Sequence, residues 1–299
     1  MSQTLHANAP SWDVFNVTGL VAVITGGGSG LGLMFAKALE ANGAAKVYII
    51  GRNWQKLEAA SKQAKYGNII PLPGDVTSKE SLKESVDYIT AREGYINLLV
   101  LCAGRSGPGM GDDKSGLTTL EDNQRYLLSL DMDDWTNTYH VNVTASFYTA
   151  ISFLLLLDAG NKQRNFPVQS QVISMSSVGG YCRGLFGSFA YAISKTGVRQ
   201  ITQSLATHFA PWQIRFNALA LGGFRSELTE QMALFKLTDP KAEDDGSVPA
   251  SRATVLRAGR EVEAAGAMLY LASLAGGYTN GTVILADGGS ASVVPSTYG

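Results

Sequence analysis

LVAVITGGGSGLG, residues 20–32, is the stretch whose reading decides the fold. Its apolar run, Val21-Ala22-Val23-Ile24, is bounded by Gly19 and Gly26 and reads as a short strand covered on both faces, as strands of parallel sheets are. Glycines at 26, 30 and 32 leave room for a diphosphate to approach the backbone. A helical pattern starts at Leu31, and a helix start offers free N–H groups and a positive dipole end to an anion. A glycine cluster alone is often a plain loop. With a strand before it and a helix after it, this one reads as a nucleotide phosphate site.

Working outward, further strand candidates are Lys46–Ile50, Ile69–Leu72, Leu98–Cys102, Gln171–Met175, Ile214–Ala218 and Thr282–Leu285, beside Leu20–Thr25. Most are continuous apolar runs with helical patterns between them, which places helices on both faces of a parallel sheet. The expected fold is α/β, a doubly wound parallel sheet of about seven strands in a single domain spanning residues 1–299, with ligand at the strand C-termini. Residues 1–18 read as an N-terminal extension. Arg105–Asp131, Gly- and Asp-rich at its start, and Ser226–Arg257, with its run DPKAEDDGSVPAS, break the rhythm. Each is either a solvated loop or part of a substrate lid, and the lid is placed at about 225–257.

The composition excludes several partners. With 45% hydrophobic and 16% charged residues, the chain suits a globular protein with a sizeable core. A net charge of −1 gives no general attraction to nucleic acid or to an anionic membrane, so the expected partner is a small molecule. Two cysteines, Cys102 and Cys182, are too few for a disulfide framework or a cysteine metal cluster, which fits a reduced interior. MSQTLHANAPSWDVFNV has neither a basic start nor an apolar stretch, and Phe153–Leu157 is too short to span a bilayer. A cytoplasmic location is expected.

In a dinucleotide site a carboxylate at the end of the second strand usually binds the adenosine ribose. Here that strand ends Tyr48-Ile49-Ile50-Gly51-Arg52-Asn53, and the acid is missing. Gly51 brings no repulsion, and Arg52 offers a planar fork of donors to a 2′-phosphate, which points to NADP(H). The alternative is an ordinary surface arginine. After the third strand, Asp75 in Gly74-Asp75-Val76-Thr77 either accepts from the adenine amino group or caps the helix beginning near Ser78. Ala103 and Gly104 after the fourth strand let the chain pass close to a flat ring.

Tyr191 and Lys195 stand four residues apart on one face of the helical pattern Phe189–Phe209. A nearby cation stabilises phenolate and lowers the tyrosine pKa, so the pair suits proton transfer near neutral pH. Alone, such a pair is usually an ordinary helix surface. Here it follows Val172-Ile173-Ser174-Met175-Ser176-Ser177, a strand ending in hydroxyls at the expected crevice, where a serine can hold a carbonyl oxygen that the tyrosine protonates. Asn142, in a helical stretch from Asp134, is either a water-holding amide beside Lys195 or a solvent-facing helix residue.

Together, TGGGSGLG at Thr25–Gly32, DVT at Asp75–Thr77, AG at Ala103–Gly104, Asn142, SS at Ser176–Ser177 and YAISK at Tyr191–Lys195 resemble the short-chain dehydrogenase/reductase family. IRFNALALGG at Ile214–Gly223 and NGTVILADGG at Asn280–Gly289 continue the likeness in order, so it covers nearly the whole chain. The N-terminal extension and the tail Pro295–Tyr298 are similar to 3-oxoacyl-reductase-like members and to fungal natural-product ketoreductases. The resemblance implies a Rossmann-type domain in which Tyr191 is the acid/base and Ser177, which precedes the Val178-Gly179-Gly180 turn, orients the carbonyl. It gives Lys195 the nicotinamide ribose and the tuning of Tyr191, and Asn142 the support of a proton relay. It places cofactor contacts at Gly26, Ser29, Gly30, Leu31, Gly32, Arg52, Asp75, Val76, Ala103, Gly104, Gly222 and Ser226, besides Tyr191 and Lys195. It also implies a homotetramer, or failing that a dimer, through the helices Asp134–Asp158 and Phe189–Phe209 and the final strand.

Three departures from the family pattern stand out. Cys102 replaces the usual Asn before Ala103-Gly104, Leu221-Gly222 replaces the usual Pro-Gly, and the serine-to-tyrosine spacing is one residue longer. The expected function is an NADPH-dependent ketoreductase acting on a hydrophobic, natural-product-like or acyl ketone, with pocket walls drawn from Met110, Tyr181, Leu185, Phe186, Phe224 and Met232, the alternative being that the aromatics among them are simply core. Arg105, Arg183 and Arg225 offer the alternative of an acidic substrate. The rival functions are a non-redox isomerase or cyclase on the same fold, and a cofactor-binding regulator without turnover.

Overall fold

Residues alternate along β1 (Val21–Thr25) between two cores, one on each face of a sheet. Ala22 and Ile24 pack with Phe35 and Leu39 of α1 (Gly30–Ala41), Leu57 of α2 (Trp54–Ser61), and Met268 and Leu271 of α9 (Glu261–Ala272). Val21 and Val23 pack with Ile89 of α3 (Lys79–Arg92), Ala150 of α6 (Ala145–Ser152), Leu157 of α7 (Leu154–Gln163) and Leu205 of α8 (Phe189–His208). All four strand residues are at most 1% exposed. Each such aliphatic side chain contributes roughly 1.5–3 kcal/mol on burial, which is why the run has no polar residue to spare.

The computed structural model describes residues 13–109, 117–184, 188–229 and 248–297. The remaining strands are β2 (Lys46–Gly51), β3 (Ile69–Pro73), β4 (Leu98–Leu101), β5 (Gln171–Ser177), β6 (Arg215–Leu221) and β7 (Val283–Ala286). They form one parallel sheet in the order β3-β2-β1-β4-β5-β6-β7. Chain order reverses between β1 and β4, so the crevice lies above Thr25 and Leu101, which are register partners.

Two strands run farther than the sequence suggests. β5 continues past Met175 to Ser177, and β6 past Ala218 to Leu221, with Ser177 paired to Leu221. The helix expected over Asp134–Asp158 is broken. It consists of α5 (Met132–Tyr139), one π-turn over His140–Thr144, α6, and then α7 after a 45° bend at the break between them. A π-turn inserts an extra residue into the helical ladder and recurs at functional sites; this one contains Asn142. The Arg105–Asp131 excursion contains a helix of its own, α4 (Leu120–Leu128). After the short α10 (Ser290–Val293) the chain returns to the loop behind β5: Arg183 donates its N–H to the Pro295 carbonyl, and Thr297 donates to that of Tyr181. Among the described residues no single helix is long and apolar enough to cross a membrane.

Candidate active site

The glycine-rich turn after β1 is tightly packed. Gly26 has φ +69°, and a Cβ there would lie 2.8 Å from the Ala103 nitrogen; a Cβ on Gly32 would lie 2.3 Å from the Gly26 carbonyl oxygen. These two glycines therefore seat the turn against the loop after β4 and seat α1 against the turn. Gly30, with φ +51°, faces Ser226, whose Cβ is 3.1 Å from where its own would stand. Ser29 holds the N-cap position of α1 but bonds none of its N–H groups, so the helix start has no side-chain cap.

A cavity of about 400 Å³ begins at this turn and is lined there by Gly26, Ser29, Gly30, Leu31 and Gly32. It runs past Cys102, Ala103, Gly104 and Arg105 to Tyr191 and Lys195, and Ser226 closes one side. Thr25 holds the β4 side of this space, because its hydroxyl accepts the N–H groups of Cys102 at 3.2 Å and Ala103 at 3.3 Å. This bond steadies the loop in which Cys102 has no amide to offer. Burial pushes the Cys102 thiol up to about 12, so it is a neutral packing group.

Beyond Cys102 the hydroxyls and the ammonium come together. β5 delivers Ser177 at its end, while Ser188 caps α8 by accepting the Tyr191 N–H, which fixes the first turn of the helix that bears Tyr191. Ser177 lies close enough to the Tyr191 phenol to act on its pKa, while its own hydroxyl accepts the Gly179 N–H at 3.1 Å and donates to the Leu221 carbonyl at 3.5 Å. Ser176, one residue earlier, lines the cavity and donates its hydroxyl to the Lys195 carbonyl at 2.9 Å. Lys195 is 7% exposed, and its ammonium donates to the Met175 carbonyl at 2.8 Å and stands 5.5 Å from the centre of the Tyr191 ring.

Burial raises the Tyr191 phenol above its ordinary value, although the nearby Ser177 hydroxyl opposes this. Burial also draws the Lys195 ammonium down to about 8. The sequence argument expected a lowered tyrosine; desolvation dominates instead and keeps the phenol protonated.

Asn142 is fully engaged. Its Oδ1 accepts the Arg105 N–H at 2.9 Å, and its Nδ2 donates to the Arg105 carbonyl at 3.0 Å and to Ser194 Oγ at 2.9 Å. At 1% exposure it is not a solvent-facing residue. It ties the loop after β4 to α8.

On the adenosine side, Arg52 is exposed at the end of β2, close enough to Asp75 for its charge to help lower that carboxyl. Asp75 Oδ1 accepts from both the N–H and the hydroxyl of Thr77, and Ser78 is the cap of α3. Val76, beside it, is half-buried. Gly222 packs against the backbone of Asp287, where a Cβ would meet Cα at 2.7 Å, and so lies outside the cavity lining.

Two expected wall residues belong to the fold. Phe224 is 6% exposed in the core, its ring filling the space beside Gly259, and Tyr181 is 8% exposed with the Arg199 guanidinium 4.3 Å from its ring centre. Met110, Leu185, Phe186 and Met232 lie outside the described residues, as does 230–247 of the expected lid. Arg105 is ion-paired with Asp134, and Arg183 serves the tail through its backbone. Lining residues that sequence reasoning did not single out as contacts are Met175, Ser176, Glu227 and Leu228, whereas Ser177 is not part of the lining. Only their place directly after a strand, or directly after Ser226, marked them. Among the described residues no group of three or more His, Cys, Asp or Glu is placed to hold a metal.

The parts fit a nicotinamide dinucleotide: an uncapped helix start and side-chain-free turn for the diphosphate, Arg52 for the adenosine end, and Tyr191 with Lys195 at the other. Comparison with known proteins agrees. The short chain dehydrogenase family model matches residues 20–236. The chain is 44% identical to the short-chain dehydrogenase/reductase PhomF of Diaporthe leptostromiformis, over 100% of both chains. Among solved structures it is similar to the RhlG/NADP active-site complex of Pseudomonas aeruginosa, with TM-score 0.76 and 26% identity, covering 93% of this chain and 99% of that one. It is equally similar to a gluconate 5-dehydrogenase from Burkholderia cenocepacia in complex with NADP and tartrate, with TM-score 0.76 and 27% identity, covering 95% and 100%. Members of this family are oxidoreductases that act on CH–OH and C=O groups with nicotinamide cofactors. With the glycine-rich turn and the Tyr191/Lys195 pair placed around one cavity, the chain belongs to the short-chain dehydrogenase/reductase family.

Proposed function

We propose that this protein is an NADPH-dependent ketoreductase that reduces a hydrophobic, natural-product-like or acyl ketone, with Tyr191 as the proton donor. The observation that carries the reading is the buried Lys195 ammonium 5.5 Å from the centre of the Tyr191 ring, both lining the cavity that begins at the glycine-rich turn. A carbonyl oxygen placed between the Ser177 and Tyr191 hydroxyls receives a hydrogen bond from the one and a proton from the other. The bound cofactor supplies hydride to the carbonyl carbon. Tyr191 enters the reaction protonated, since burial holds its pKa high, and the Lys195 ammonium stabilises the phenolate left behind. In this reading Lys195 also binds the nicotinamide ribose, and Asn142 supports the proton relay by fixing the Arg105 loop to α8.

NADPH is favoured by Arg52 and by the absence of an acid at the end of β2. Its neighbour Asp75 serves as the adenine contact, and Val76 follows it along the cofactor. The engagement of Arg105 by Asp134 favours an uncharged substrate over an acidic one, and Met175 and Leu228 give the cavity apolar lining. We place the enzyme in the cytoplasm, in secondary metabolism, as a homotetramer or dimer. Exposed Leu155 and Tyr148 on the α6–α7 face are suited to such an interface.

The test is incubation of purified protein with NADPH or NADH and a panel of bulky ketones, following cofactor absorbance and product mass together. NADPH consumption with a product heavier by one dihydrogen is the expected result. A product of unchanged mass with no cofactor consumed would mean an isomerase or cyclase instead.

A further inference from the structure

An anion of the protein's own already sits beside the glycine-rich turn. Glu227, just after Ser226, places Oε2 3.2 Å from the Ser29 hydroxyl, which donates to it. The same carboxylate accepts from Lys56 Nζ through both oxygens, at 2.9 and 2.7 Å. Ser29 and Glu227 line the cavity together. Lys56 lies in the first turn of α2, directly after Arg52 and Asn53, and its backbone N–H is capped by Asn53 Oδ1 at 3.0 Å. That turn of α2 abuts the glycine-rich segment, since a Cβ on Gly28 would be 3.6 Å from the Lys56 carbonyl carbon. A second cation, four residues after Arg52 in sequence, is therefore held beside the glycine-rich turn by a carboxylate that follows β6.

We infer that Lys56 is a second cation for the adenosine 2′-phosphate, and that Glu227 is an internal stand-in for that phosphate, given up when the cofactor binds. The inference rests on the NADP reading of Arg52. Both members of the Lys56–Glu227 pair are about half exposed, with side chains at 50% and 54%. Exposed pairs of this kind are weak, so one gives way readily to a competing anion. A phosphate monoester carries nearly two negative charges and three acceptor oxygens at neutral pH, and it can take Lys56, Arg52 and the Ser29 hydroxyl at once. In the exchange the Lys56–Glu227 contact breaks, the Lys56–phosphate contact forms, and the Glu227 carboxylate turns to water. The opposite arrangement, in which the pair stays closed over bound cofactor as a clasp, gives Glu227 the opposite sign of effect.

Calorimetric titration of the full chain with 2′,5′-ADP, 5′-AMP, NADPH and NADH separates these cases without any turnover. Lys56→Gln is expected to weaken 2′,5′-ADP and NADPH about 10-fold and 5′-AMP and NADH less than about 2-fold, the size of one lost charge-assisted hydrogen bond. Glu227→Gln is expected to tighten 2′,5′-ADP about 3-fold, and the double variant to behave as Lys56→Gln. Both residues are exposed, and unchanged melting temperatures show that the variants fold. Weaker binding in Glu227→Gln would overturn the stand-in role in favour of the clasp. Equal losses for NADPH and NADH in Lys56→Gln would move the cation to the shared diphosphate and overturn its assignment. If wild-type protein binds 2′,5′-ADP no tighter than 5′-AMP, the NADP reading fails and the inference falls with it. A wild-type preference that Lys56→Gln leaves intact removes the inference alone.

Discussion

The Lys195 ammonium stands 5.5 Å from the centre of the Tyr191 ring and spends a hydrogen bond on the Met175 carbonyl, within a site that has drawn its pKa down to about 8. The tyrosine beside it is shifted upward. Burial drives the two pKa values apart, each group toward its neutral form.

The pH profile of ketone reduction follows from that pair. Reduction needs a protonated Tyr191 and a charged Lys195, and the second condition is lost first as pH rises through about 8. kcat/KM for reduction is expected to be flat on the acid side and to fall above about pH 8. Lys195→Arg, whose guanidinium stays charged, should remove that fall in any activity it retains. A profile that rises through pH 8 would sink the assignment.

Lys195→Met should exchange function for stability. The folded pKa of about 8 lies below the ordinary 10.5, so the charged form is destabilised by folding. That penalty is present in full below about pH 8 and is relieved as pH rises toward 10.5. At pH 7 the methionine variant is expected to be more stable by on the order of 2 kcal/mol while losing activity. Denaturant midpoints at pH 7 and at pH 10 check this, because the gap between variant and wild type should narrow at the higher pH.

Tyr191→Phe should lower kcat by roughly 10²–10⁴, the usual range for losing a positioned proton donor, with the dissociation constant of NADPH changed less than about 2-fold. Stopped-flow reduction alongside equilibrium fluorescence titration measures both. Retained turnover would remove Tyr191 as the acid.

The two serines at the end of β5 are predicted to separate cleanly. Ser177→Ala should cost rate, since in the proposed reaction its hydroxyl holds the carbonyl oxygen that Tyr191 protonates. Ser176→Ala should cost stability, on the order of 1 kcal/mol, since the buried Lys195 carbonyl loses its donor. Parallel measurements of kcat and melting temperature decide it, and the reverse pattern would exchange the two roles.

Gly32→Ala should disable folding more than binding. Its Cβ would stand 2.3 Å from the Gly26 carbonyl oxygen, which no rotamer can relieve, and a loss of several kcal/mol is expected. Gly67→Ala, at a φ of +76° with no atom within 4 Å, is the control for backbone strain alone. Similar melting temperatures for the two variants would refute the packing argument.

Apolar runs carried most of the sheet into view, because a strand covered on both faces has nowhere to place a polar residue. The ends of β5 and β6 were harder to see. Ser176 and Ser177 fall just past the apolar run that marks the strand, yet both are buried within it, their hydroxyls bonded to the Lys195 carbonyl and the Gly179 N–H. Nothing in HVNVT, residues 140–144, announces a π-turn, since it contains neither Gly nor Pro. Phe224 and Tyr181 were misplaced as pocket walls because an aromatic in a loop after a strand has the same composition whether it turns to ligand or to core. Glu227 gave no signal because its partner Lys56 is 171 positions away in sequence, and proximity of that kind appears only when the chain is folded.

The strand order has a consequence for how the molecule is made. Taken in the sequence in which they leave the ribosome, β2 adds beside β1, β3 outside β2, β4 on the other flank of β1, and then β5, β6 and β7 each outside the last. No newcomer is ever inserted between strands already joined, so the sheet can grow from a growing chain without reopening any ladder. The reaction chemistry is assembled in the same direction: the glycine-rich turn early, Ser177, Tyr191 and Lys195 midway, and the Ser226–Glu227 side of the cavity only after β6 has docked. Nascent chains arrested just before β6 should hold the catalytic side chains without a closed cradle, a half-built enzyme unable to retain the molecule it will later depend on.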